Sequence, residues 1–170
     1  MFFIFLTLSI LAHAGRAVYE FLKERGRVDP EKKAVFAMVF ADMCVLWVSW
    51  FQMCTWDPWP VGLGPIARGA GLAVFVFGMI LFFGALFQLK KLEGFNGTLV
   101  TNGIYRYMRH PMYFAFLCWL FGWAAFMDAG ASFLCAFPFA ANVLYWRANE
   151  ERLLLKIHPD YLEYSRSTIF

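Results

Sequence analysis

Two clusters of side chains carry the chemistry this sequence can offer. In the stretch TLVTNGIYRYMRHPMY, positions 98–113, Thr101, Tyr105, Arg106, Tyr107, Arg109, His110 and Tyr113 gather between two long apolar runs. A second group, Arg147, Glu150 and Glu151, follows the last apolar run. His110-Pro111 just ahead of an apolar run is a helix-start signal, because proline is favoured at the first helical position. The amides at such a start attract a carboxylate or phosphate. Arg106 and Arg109 add positive charge, and Tyr105, Tyr107 and Tyr113 add flat faces for a ring or a cation. An interfacial anchor has the same composition, since Arg and Tyr are common where helices leave the bilayer. Arg147 and Glu151 stand four residues apart and therefore share a helical face. Alone they would be a solvated ion pair. Returned to the side where His110 and the tyrosines lie, they complete a site with cationic, anionic and aromatic members.

The elements that must position these clusters read as membrane helices. The chain has 170 residues, 61% of them hydrophobic and 21% aromatic, which is too apolar for a soluble core. We expect an all-α integral membrane protein forming one domain. Residues 1–89 supply three spans, at 1–22, 34–55 and 69–89, and residues 90–170 supply the site. Each long run is sufficient, at ~1.5 Å per residue, to cross a ~30 Å hydrocarbon layer. Runs at 112–127 and 129–146, joined by little more than Asp128 and Gly130, predict a tight hairpin and bring the count to about five. Pro138 removes a backbone hydrogen bond within the last run and should kink it. Beyond it, Leu153, Leu154 and Ile157 continue an apolar stripe, predicting a tail helix against the protein or membrane surface. Gly69, Gly71, Gly78 and Gly84 point to close helix approach in the third span.

With five spans, the loops at 23–33 and 90–110 and the tail from Arg147 share one side and hold thirteen of the fifteen Lys and Arg residues. The positive-inside rule places that side, with the C-terminus and both clusters, in the cytoplasm. The net charge of +3 is no nucleic-acid signature, because the basic residues sit in short loops. Ala12-His13-Ala14 has the form of a signal cleavage site, but no positive region precedes the run, so it is read as a retained span. His13 on this helix reads as a packed or interfacial histidine, and Arg16 and Glu20, four apart, as a pair. Asp42 interrupts the second span and is a functional suspect for that reason. Cys44, Cys54, Cys118 and Cys135 lack paired spacing and read as packing residues, with no metal set.

LVTNGIYRYMRHPMY resembles the LVT-x-G-x-Y-x-x-x-RHP-x-Y signature of the isoprenylcysteine carboxyl methyltransferase family, a group that also includes phospholipid N-methyltransferases and small thiol methyltransferases. NEERLLLKIHPDYLEYSRS resembles the tail of the same group. The resemblance covers roughly the last 85 residues. It implies an S-adenosylmethionine-dependent enzyme buried in the membrane, methylating a lipophilic or lipidated acceptor that enters from the bilayer. By position it implies cofactor contacts from Thr98, Leu99, Val100, Tyr105, His110, Pro111, Met112, Tyr113, Glu150 and Glu151. Arg147 would be the catalytic residue that faces the acceptor. A carboxylate acceptor needs no base; an amine or thiol would, and His110 and His158 are the histidines near the clusters. Two rivals come from other classes. A small carrier would use Asp42 with Arg16 and Glu20, and an accessory membrane subunit would have no active site.

Overall fold

The computed structural model describes residues 1–89 and 99–170, and Thr98 with the rest of 90–98 lies outside them. Among the described residues the regular structure is helical. The order is α1 (Phe2–Glu24), α2 (Lys33–Thr55), α3 (Pro65–Leu89), a 3-10 turn (Gly103–Arg106), α4 (Pro111–Phe126), α5 (Gly130–Ile157) and α6 (Tyr161–Ser167). Helices α1, α2 and α3 are each long and apolar enough to cross a membrane, and α4 is a shorter apolar helix. The third begins one turn ahead of the expected residue 69, because Pro65 serves as its first helical residue. The run expected to end at 146 continues as one helix through Ile157, which carries Arg147, Glu150 and Glu151 out of the apolar part on a rigid extension.

The end of the bundle away from the polar clusters is knit by carboxylates. Asp57 accepts the Ser132 amide at 2.6 Å, its hydroxyl at 2.6 Å and the Ala131 amide at 3.3 Å, so a residue from the α2–α3 loop caps the start of α5. Asp128, at φ 59° in the α4–α5 turn, accepts the amides of Gly62 at 3.1 Å and Leu63 at 2.9 Å. Arg68 donates to the Phe126 carbonyl at the end of α4 at 2.9 Å.

Helix α3 packs chiefly on α4, and its glycines permit the approach. A methyl group on Gly71 would stand 2.8 Å from the Phe126 amide nitrogen and 2.9 Å from the Gly122 carbonyl; on Gly78 it would stand 2.7 Å from Cys118 Cβ. Gly69 faces open space instead. Small residues at such a crossing let backbones meet and gain van der Waals contact, which replaces the hydrophobic force that lipid cannot supply. Helix α1 packs on α2 and α5. Leu46, Trp50 and Met53 of α2, Leu120 of α4, and Val143 and Trp146 of α5 form a fully buried core between them.

Charges run through this core along one stripe of α1. Glu20 is fully buried and meets Arg16 at 2.7 Å and Lys23 at 2.8 Å, as the four-residue spacing of the first pair predicts. The Arg16 guanidinium also covers the rings of Tyr19 at 5.0 Å and Trp146 at 5.6 Å. His13 is a packed histidine, stacked on Phe139 at 4.2 Å with Nδ1 3.1 Å from the Asn142 amide nitrogen. Asp42 sits half-buried on α2 against Gly15 of α1, and its Oδ2 has no hydrogen-bond partner among the described residues.

Candidate active site

His110 precedes α4 and Pro111 opens the helix, so no amide is wasted at its first position. No side chain caps this start. The preceding 3-10 turn fixes Tyr105 in a buried position, held from Gln88 of α3, whose Oε1 accepts the Ile104 amide at 3.1 Å. Gly103 in that turn adopts φ +57°, a left-handed conformation that favours glycine. Opposite these elements stands the charged end of α5, and α6 closes the third side.

Glu151 is the centre of the charge arrangement. Its Oε1 lies 3.1 Å from Arg109 Nε, 3.1 Å from Arg147 Nη2 and 3.4 Å from His110 Nε2. The His110 hydrogen bond, with the charges of His110, Arg147 and Arg109, outweighs the burial penalty and holds the Glu151 carboxyl down at about 2. Arg109 extends the network, donating to the Ser165 carbonyl within α6 and to the Thr168 carbonyl just beyond it at 2.8 Å. Tyr164 donates to the Tyr105 carbonyl, and Tyr161 Oη lies 3.3 Å from His110 Nε2. Burial pushes the phenols of Tyr105 and Tyr161 above their ordinary value, so both remain protonated donors at neutral pH.

A cavity opens beside this network. Of the residues expected at a site, Leu99, Val100, Tyr105, His110, Pro111, Met112, Tyr113 and Glu150 line it. Tyr113 donates to Glu150 Oε2 at 2.6 Å, which anchors that carboxylate at the wall. Arg147 and Glu151 do not line the cavity; they stand in the network behind it. Leu89, Arg109, Leu154, His158, Tyr161 and Tyr164 line it as well; of these the sequence marks Arg109 as charge beside the helix start and His158 as a histidine near the clusters. The two tail tyrosines lie in the stretch already singled out by its resemblance, so their positions had a signal. Nothing in the local spacing marks Leu89 or Leu154. Asp42 is not on the wall.

Residues 66–160, more than half of the chain, match the phospholipid methyltransferase family. The chain is 35% identical over 81 residues to the protein-S-isoprenylcysteine O-methyltransferase of Dictyostelium discoideum, covering 43% of this chain and 32% of that one. It is 35% identical over 74 residues to the cobalt-zinc-cadmium resistance protein CzcN of Cupriavidus metallidurans, covering 43% and 34%. These alignments span about a third of the length of the curated relatives. No solved structure matches the chain.

Proposed function

Because this chain belongs to the phospholipid methyltransferase family, we propose that it is a membrane enzyme transferring a methyl group from S-adenosylmethionine to a lipophilic acceptor. The observation that carries this reading is the cavity at the start of α4, lined by an anchored carboxylate, by tyrosines and by the first residues of a helix that no side chain caps. This donor set fits S-adenosylmethionine. The Tyr105 hydroxyl is buried at the wall without a hydrogen-bond partner among the described residues, the state of a donor that awaits a ligand. Glu150 suits an ammonium or ribose hydroxyl, the tyrosine faces suit a sulfonium, and the α4 amides suit a carboxylate. Leu99 and Val100 would add backbone groups, and the same role is proposed for Thr98. When bound, the cofactor supplies a methyl group already activated on a cationic sulfur.

The residues of the chain then have only to bind and align. Holding two reactants in register accounts for ~7–11 kcal/mol of barrier lowering in well-oriented systems. Tyr113 fixes Glu150 toward the cavity, and Glu151 fixes Arg109 and His110 at its wall and Arg147 behind it. Arg109 on the wall and Arg147 beside it favour an anionic acceptor, a carboxylate carried on a lipophilic or lipidated molecule. Arg147 would orient it by a charge-assisted contact. A second reading, a lipid amine, is favoured by His158 at the wall, a group able to take the proton such an acceptor must lose. For the topology we propose five spans, the last two forming a hairpin through residues 127–129, in a single domain. The site and C-terminus would face the cytoplasm by the positive-inside rule.

Two measurements test this. Titration of S-adenosylmethionine into detergent-purified protein should give binding, weakened at least tenfold in Glu150→Gln. Removing a charged partner from a partly desolvated site typically costs ~2–5 kcal/mol. Absence of binding in the natural protein overturns the cofactor assignment, and equal affinity in the variant removes Glu150 from it. For sidedness, single cysteines introduced at Arg27 and Gly64 in a cysteine-free background should label from the cytoplasmic and opposite faces respectively. Labelling of both from one face sinks the five-span arrangement.

A further inference from the structure

Arg147 is covered. Its guanidinium carbon lies 4.6 Å from the centre of the Phe170 ring, while Glu151 occupies one of its terminal nitrogens at 3.1 Å. Its Nε is buried with no hydrogen-bond partner among the described residues. The Phe170 ring also meets the edge of Phe114 at 5.3 Å. The segment that carries it is tied to the start of α4. The Ile169 amide donates to the Tyr107 carbonyl at 3.0 Å, and the Ile169 carbonyl accepts the Arg109 amide at 3.2 Å. The Phe170 carbonyl accepts the His110 amide at 3.2 Å. Arg109, through Thr168 and Ser165, holds the segment just before it. Phe170 itself keeps one backbone bond, and its half-buried ring rests on Arg147 and Phe114 against the buried core.

We infer that Phe170 determines which acceptors reach Arg147: its ring must be replaced over the guanidinium by the apolar part of an acceptor before the acceptor's anionic group can pair there. The inference rests on the reading of Arg147 as the acceptor-facing residue. Its physical basis is exchange of like for like. A guanidinium face stacked on a ring has already shed water on that side. An acceptor whose apolar group adjoins its anion restores that contact, so displacing the ring exposes little new surface. A small hydrophilic anion restores nothing, and it must leave the guanidinium face and the Phe114 edge uncovered. Selectivity then comes from what the wrong ligand fails to replace. The competing account makes Phe170 a plain anchor for the segment after α6. That account predicts that its loss weakens every property together and discriminates between no two anions.

Modification of Arg147 by phenylglyoxal, followed by mass spectrometry of the full-length protein in detergent, separates the two. In the natural protein, dodecanoate should slow the adduct at Arg147, whereas acetate at the same concentration should not. In Phe170→Ala the adduct should form several times faster, and acetate should now slow it too, with S-adenosylmethionine affinity unchanged. Phe170→Leu, which keeps an apolar cover, should behave like the natural protein. Protection by acetate in the natural protein overturns the inference without any variant, as do equal adduct rates in Phe170→Ala and the natural protein. Arg147→Lys distinguishes the underlying reading. If methyl transfer survives in it undiminished, Arg147 does not face the acceptor, whatever the adducts show. If transfer is lost while Phe170→Ala modifies like the natural protein, the Phe170 inference alone fails.

Discussion

Replacing Glu151 with glutamine is expected to destabilise the protein by about 2–3 kcal/mol near neutral pH and to cut methyl transfer on the order of 100-fold. The stability figure follows from a carboxyl held down at about 2 against an ordinary value near 4.5, in a side chain only 26% exposed. Because the folded-state value is depressed, this stabilisation is fully present above about pH 4.5 and is lost as the pH falls toward 2. Thermal unfolding of the natural protein should therefore weaken across that acid window, and Glu151→Gln should lack that part of the decline. The activity loss has a separate origin. Glutamine keeps the shape but presents a neutral oxygen to Arg109, Arg147 and His110, so the groups that border the cavity lose their common anchor. Small misplacements of aligned groups are enough to cost two orders of magnitude in rate. Cofactor affinity should fall less than in Glu150→Gln, since Glu150 and not Glu151 lines the cavity. A variant as stable as the natural protein at neutral pH, with full activity, would return Glu151 to an ordinary solvated pair.

The largest effect on stability is expected at Glu20. This carboxylate is fully buried in α1 and is shared by Arg16 at 2.7 Å and Lys23 at 2.8 Å, both nearly buried themselves. Removing the shared carboxylate of a buried ion network leaves the remaining charges desolvated and short of counter-charge, which typically costs ~3–5 kcal/mol. Glu20→Gln should therefore unfold at markedly lower temperature in detergent, and the loss should be much larger than in Asp42→Asn. Asp42 is only half-buried and its Oδ2 has no hydrogen-bond partner among the described residues, so neutralising it costs less than at Glu20 even though Arg16 attracts it. The comparison also bears on the carrier reading, in which Asp42 would be the indispensable charge. Equal stability of Glu20→Gln and the natural protein would show that the α1 charges are solvated in the membrane. Intact cofactor binding in Asp42→Asn is expected, because that residue is not on the cavity wall.

What the sequence determined by itself is what depends on spacing along one helix. The four-residue intervals fixed the pairs Arg16–Glu20 and Arg147–Glu151, and the helix start at His110-Pro111 followed from proline's missing amide. Apolar run length marked the three long helices, because a bilayer demands a minimum of continuous apolar surface. The resemblance of two motifs named the family that the comparison then showed. Tertiary structure decided everything that depends on the rotation of one helix against another. Glu150 and Glu151 are neighbours in sequence, yet about 100° apart around a helix of ~3.6 residues per turn. Which one faces the cavity is therefore set by the packing of α5, whose buried Val143 and Trp146 turn Glu150 to Tyr113 and Glu151 to Arg109 and His110. The same holds for the tail. The resemblance of the tail motif draws notice to Tyr161 and Tyr164, but no spacing along the chain says that they line this cavity or that Phe170 lies on Arg147. Those contacts join residues far apart in the chain, and only the folded arrangement of α4, α5 and α6 brings them within reach.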